Sequence, residues 1–196
     1  MTSAATTPTP LRRVVITGSE SVGKTTLGVQ LAAHYDVWCV PEYVREFTRL
    51  KGAPPVLGDR DALAQGQVRL EDEYIARSRA TGKSLLLHDT DLVSNVVYSH
   101  HYFGDCPPAI ETLVMARRPD LYLLLDIDVP WIADGVRDRG DQRPEMQTLF
   151  ARTLDRLAMP YVVIRGDWNQ RRQRAMHHID ALLASTSSAP STTPDP

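Results

Sequence analysis

Val14-Val15-Ile16-Thr17-Gly18-Ser19-Glu20-Ser21-Val22-Gly23-Lys24-Thr25-Thr26-Leu27 is the stretch that decides the fold of this chain. Val14-Val15-Ile16 reads as a buried strand. Gly18 to Thr25 matches GxxxxGK[ST], and Thr26 to Ala33 reads as a helix. Strand, loop and helix in that order define a P-loop. Gly18 and Gly23 let the backbone turn and bring its N–H groups up to phosphate oxygens. The helix that follows aims the positive end of its dipole at the same oxygens. The Lys24 ammonium is expected to reach the β- and γ-phosphates of ATP, and the Thr25 hydroxyl to sit on Mg²⁺. Gly18, Ser19, Glu20, Ser21, Val22, Gly23, Lys24, Thr25 and Thr26 are therefore the expected nucleotide contacts.

Working outward, short apolar runs alternate with helical patterns. Arg13–Thr17, Val37–Val40, Leu85–His88, Leu121–Asp126 and Tyr161–Ile164 read as strands buried on both faces. Lys24–His34, Asp59–Ala80, Leu92–His101, Pro108–Ala116, Pro144–Leu157 and Asn169–Leu183 read as helices. This alternation predicts an α/β P-loop NTPase fold: a mostly parallel five-stranded sheet, helices on both faces and an Arg-bearing lid. Residues 1–10 and 185–196 are rich in Ser, Thr, Ala and Pro and are expected to be disordered tails around one domain, 11–184.

Bulk composition narrows the partners. Net charge is −2 over 196 residues, so the basic footprint of a nucleic-acid binder is missing. Cys39 and Cys106 are far apart without CxxC spacing, which argues against a disulfide framework or zinc site. The first ten residues lack a signal-peptide pattern, and no apolar run approaches a membrane span. A cytoplasmic protein acting on a small molecule, without nucleic-acid or membrane partners, is the expectation.

In doubly wound sheets ligands bind beyond the carboxyl ends of the strands. Three charged clusters fall there. Leu85-Leu86-Leu87-His88-Asp89 has the form of a Walker B element, so Asp89 should help hold Mg²⁺ with Thr25. Asp91 is open to two readings, contact with substrate hydroxyls or N-cap of the next helix. His88 reads as a packing residue. In Pro41-Glu42-Tyr43-Val44-Arg45-Glu46, Glu42 could accept the proton of an attacking hydroxyl, and Arg45 could orient it or hold a phosphate. The third cluster runs from Asp126 to Arg143. Arg137, Arg139 and Arg143 are its lid arginines, any of which could neutralise charge on a transferring phosphoryl group, with Arg137 the candidate catalytic one. Trp131 could stack on a substrate ring or anchor the lid. Arg165, Arg171 and Arg172 could touch the adenine side of a nucleotide, with a solvated helix face the favoured reading.

A GTPase would carry DxxG and NKxD, and an ABC ATPase LSGGQ; the chain has none of these. An AAA-type machine would need a further helical domain. Carboxylates after the second and third strands plus an Arg-rich lid fit a small-molecule kinase. GSESVGKTTL, PEYVREF, HDTDLVSNVVY and RPDLYLLLDIDVPWIADGVRDRG resemble, in order over roughly residues 12–183, the ribosylnicotinamide kinase domain of NadR-type bacterial proteins. The resemblance implies ATP- and Mg²⁺-dependent phosphorylation of the ribose 5′-hydroxyl of nicotinamide riboside to NMN, in NAD salvage. With that acceptor, the residues at the strand ends would divide the work: Lys24, Glu42, Asp89 and a lid arginine carry the chemistry, Glu42 or Asp89 orienting or deprotonating the hydroxyl, and Glu42, Tyr43, Arg45, Asp91 and Trp131 face the substrate. The chain departs from the pattern at Pro41, where those proteins have Trp. It also lacks an HxGH-type motif, so an adenylyltransferase activity is not expected. A kinase for another nucleoside or nucleotide, and a small regulatory ATPase, are the alternatives.

Overall fold

The structure, a computed structural model, describes residues 10–130 and 142–185. Five strands form one parallel sheet: β1 (Arg12–Thr17), β2 (Cys39–Val40), β3 (Leu85–Asp89), β4 (Leu121–Leu125) and β5 (Tyr161–Ile164), in the order β2-β3-β1-β4-β5. Seven helices are described: α1 (Lys24–Tyr35), α2 (Tyr43–Lys51), α3 (Arg60–Ala80), α4 (Leu92–Phe103), α5 (Pro108–Ala116), α6 (Arg143–Arg156) and α7 (Trp168–Ala184). The expected α/β architecture is the one observed.

The central strands read as apolar runs because both of their faces are covered. Val14 and Ile16 of β1 point into a core with Leu27 and Leu31 of α1 and Ile179 of α7. Val15, between them, points the other way, into a core with Tyr122, Phe150 and residues of α3, α4 and α5. The period of two along a strand thus divides one sequence run between two cores. At the sheet edge, Val163 of β5 is exposed, and β2 shortens to two residues. The expected β2 began at Val37, but the Val37 N–H closes the end of α1 on the Ala32 carbonyl instead.

Three element boundaries matter for the site. Asp89 is the last residue of β3. Asp91 caps α4, its Oδ1 accepting from the Val93 N–H at 3.0 Å. Glu42 is the N-cap residue of α2, a helix that the apolar pattern of the sequence does not mark. None of the α2 residues is buried, so the long apolar signal that marks the other helices is missing there.

Candidate active site

The P-loop closes around its own lysine. Lys24 Nζ donates to the carbonyls of Gly18 (3.0 Å) and Ser19 (2.7 Å). Gly18 has φ +129°, and a Cβ there would lie 2.7 Å from the Leu125 carbonyl oxygen. Gly23 has φ +86°, and a Cβ would lie 2.4 Å from the Trp168 ring. Both glycines are thus required by conformation and by close approach. Trp168, at the start of α7, had not been singled out from sequence; its ring forms the outer wall of the loop.

Arg171 joins that wall to the sheet. It is 1% exposed, against the reading of a solvated helix face. Its guanidinium donates to the carbonyls of Gly166 (2.9 Å), Val22 (2.8 Å) and Asp126 (2.7 Å) and to the Asp128 carboxylate. The correction has a physical cause. Arg171, Ala175 and Ile179 share one helical face at i, i+4 and i+8, and that face is the buried one. Arg165, in contrast, is exposed and pairs with Asp126 at 2.5 Å.

Thr25 and Asp89 meet across the β1–β3 edge: Thr25 Oγ1 donates to Asp89 Oδ2 at 2.6 Å. The second oxygen of Asp89, Oδ1, is buried without a hydrogen-bond partner among the described residues. Burial raises the Asp89 carboxyl above its usual range, the Thr25 hydrogen bond opposes that, and the nearby Glu42 charge adds to it. A hydroxyl, a carboxylate and an orphaned carboxylate oxygen suit a hard cation that takes oxygen ligands and keeps several waters. The residues therefore fit Mg²⁺. Among the described residues no group of three or more His, Cys, Asp or Glu forms a metal cage.

Thr90 follows Asp89 with φ +67°, a left-handed conformation that a β-branched residue rarely adopts. Its N–H is held by the Ile16 carbonyl at 3.0 Å. The kink turns two acids to different tasks. Asp89 faces Thr25. Both oxygens of Asp91 are engaged inside the protein, one by the Val93 N–H and the other by the Tyr122 hydroxyl at 2.5 Å. Burial, with the Glu71 charge behind it, pushes the Asp91 carboxyl up to about 7. Of its two readings, these contacts are those of the cap. His88 is fully enclosed beside this pair, and burial drives its imidazole down to about 3, so the ring is neutral.

Glu42 lies at the same edge, 8% exposed, with the Arg45 guanidinium 3.0 Å from its carboxylate. Tyr43 does not stand clear of the protein. Its ring is seated on α3 where Gly66 leaves room, since a Cβ at Gly66 would fall 1.9 Å from the ring. The Tyr43 N–H donates to Gln67 Oε1 at 3.1 Å. A glycine in the middle of an otherwise regular helix was the available signal for this contact.

Of the lid arginines, Arg143 is described. It is buried, donates to the Val129 carbonyl at 3.2 Å, and its Nε and Nη2 find no hydrogen-bond partner among the described residues. It shares a small cavity wall with Ser19 and Glu20 of the P-loop. Trp131, Arg137 and Arg139 lie outside the described residues. No described helix is long and apolar enough to cross a membrane.

The chain is 31% identical over 180 residues to the trifunctional NAD biosynthesis/regulator protein NadR of Escherichia coli (strain K12), and 30% identical to that of Salmonella typhimurium. Each alignment covers 88% of this chain but 43% of the relative, so the chain spans less than half the length of those proteins. A crystal structure of NadR protein in complex with NR superposes with a TM-score of 0.74 at 23% identity, covering 93% of this chain and 54% of that one. Thymidylate kinase from Ehrlichia chaffeensis superposes at 0.65 with 15% identity, covering 87% of this chain and 99% of that one. At these identities the superpositions show a shared fold. The family described as AAA domain (AAA_28) matches residues 13–171. Among the described residues only the rest of α7 follows the match. The match runs from β1 into the first turn of α7, and the chain belongs to this AAA domain family.

Proposed function

We propose that this protein is a small-molecule kinase that transfers the γ-phosphoryl group of ATP to the 5′-hydroxyl of nicotinamide riboside, forming NMN and ADP. The observation that carries the reading is the Thr25–Asp89 contact at the carboxyl edge of the sheet, with Glu42 beside it. That shared edge supports roles for Thr25 and Asp89 as cation ligands beside the phosphate cradle and for Glu42 as proton acceptor. The similarity to NadR over 88% of the chain supports the choice of acceptor.

The P-loop amides and Lys24 hold the triphosphate. Lys24 exchanges its two carbonyl acceptors for phosphate oxygens, a stronger, charge-assisted contact. Thr25 and Asp89 would hold Mg²⁺, which when bound neutralises charge on the β- and γ-phosphates. Glu42, held by Arg45, orients the acceptor hydroxyl and receives its proton as the oxygen attacks phosphorus. A lid arginine meets charge on the transferring group. The place of Arg143 beside Ser19 and Glu20 supports it in that role, alongside the proposal for Arg137.

Pro41 favours a second reading, a kinase for another nucleoside, because a Trp of the NadR-type pattern is missing next to Glu42. ADP release under Mg-ATP, with nicotinamide riboside and a panel of common nucleosides, decides between them. Strong stimulation by the riboside with NMN as product is the expected result. Stimulation by another nucleoside alone would transfer the kinase to that acceptor. Slow hydrolysis indifferent to every acceptor would make the protein a regulatory ATPase.

A further inference from the structure

Helix α2 carries the proposed base at its start, yet buries none of its nine residues. Its half-buried residues give the helix little core packing of its own. Two contacts with α3 help to hold the end that carries Glu42. The Tyr43 ring occupies the gap left by Gly66, and Gln67 accepts the Tyr43 N–H at 3.1 Å. That N–H is one of the donors a helix start leaves without an intrahelical partner.

The line continues inward. Gln67 Nε2 donates to Glu71 Oε1 at 3.3 Å, and Arg117 Nε donates to Glu71 Oε2 at 3.0 Å. Arg117 is itself held by Asp72 at 2.5 Å. Gln67 and Glu71 are 4% and 2% exposed, so water does not readily substitute for either partner. The Glu71 carboxylate has a specific effect on Gln67. It takes the amide nitrogen, which leaves the amide oxygen turned to Tyr43. A chain of charge and hydrogen bonds thus runs from the α5–β4 connection, through α3, to the backbone atom next to Glu42.

We propose that Gly66, Gln67 and Glu71 are positioning residues for the transfer step: they latch helix α2 onto α3 and so hold Glu42 at the acceptor hydroxyl. The inference rests on the role of Glu42 given above. It assigns to the middle of α3 an effect on turnover although no residue there reaches the P-loop cradle.

Gly66→Ala separates positioning from stability. Alanine raises helix propensity in α3, while its methyl group displaces the Tyr43 ring. The expected outcome is a melting temperature equal to or above that of the parent protein, kcat about tenfold lower, and an unchanged KM for ATP. Gln67→Met, which removes the acceptor at similar volume, is expected to lower kcat about five- to tenfold, the worth of one backbone-anchoring hydrogen bond. In the background of Glu42→Gln neither substitution should lower kcat further, because the group they position is already gone. Parental kcat in Gly66→Ala and Gln67→Met would overturn the latch. Losses that multiply with that of Glu42→Gln, or a kcat that falls only with the melting temperature, would overturn it too. Parental turnover of Glu42→Gln itself would refute the role of Glu42 and the latch with it, and is read separately from the first two results.

Discussion

Replacing Arg171 by Met should loosen the P-loop from the sheet. The side chain is 1% exposed and donates to three backbone carbonyls, of Gly166, Val22 and Asp126, as well as to Asp128. Met fills much of the same volume and restores none of these bonds. The three carbonyls lose charge-assisted partners, and each costs about 1 kcal/mol or more if it stays buried. The Asp128 side chain is 36% exposed, so it regains water and adds little. Relief from desolvating the guanidinium offsets part of the loss. The net expectation is a destabilisation of about 3 kcal/mol. For a domain of this size that lowers the melting temperature by roughly 6–12 °C. The loss should also appear in function, because the Val22 carbonyl belongs to the nucleotide loop. Thermal unfolding followed by circular dichroism, and the KM for ATP from ADP release, measure the two effects. Arg171→Lys should fall between Met and the parent, since one ammonium reaches fewer of the four acceptors. A melting temperature within about 2 °C of the parent, with KM for ATP unchanged, would refute the idea that Arg171 ties loop to sheet.

Two further outcomes follow from the same contacts. Asp89→Asn keeps an oxygen for the Thr25 hydroxyl but loses the charge, so turnover should drop about 10²-fold or more and the Mg²⁺ concentration needed for half-maximal rate should rise. ADP release over a Mg²⁺ titration reads both, and a parental rate at low Mg²⁺ would exclude Asp89 as a cation ligand. At the surface, the Arg156 hydrogen bond holds the Glu111 carboxyl below its ordinary value of 4.5. A depressed folded value means that this pair stabilises above the ordinary value and loses its effect as pH falls through the folded one. Arg156→Gln should therefore cost up to about 1 kcal/mol at pH 7 and progressively less on acidification, by urea unfolding. A cost that grew on acidification would contradict the sign.

The site could be read from sequence where the chemistry is local. Gly18, Gly23, Lys24 and Thr25 act through backbone shape and one helix start, and all lie within eight residues. Asp89 was legible because a buried parallel strand that ends in an acid leaves that acid at the ligand edge. The other parts of the site depend on partners distant in the chain. The Tyr122 hydroxyl that occupies one oxygen of Asp91 comes from thirty-one residues on, beyond the reach of a local reading. Tyr43 looks like a substrate residue in its own segment, and only the gap at Gly66 shows where its ring rests.

By itself the sequence determined the parallel α/β sheet, the P-loop and the acids at its edge, because period, turn residues and strand ends are properties of short segments. Tertiary structure alone decided that Arg171 is a buried tie and that an unburied helix carries Glu42. It also decided that α3 holds that helix. Each of these turns on which long-range face a polar side chain meets. Arg171 shows why. Its own neighbourhood, Asn169 to Arg174, is polar enough to read as solvated, and only the carbonyls of three separate loops give the guanidinium a reason to be inside.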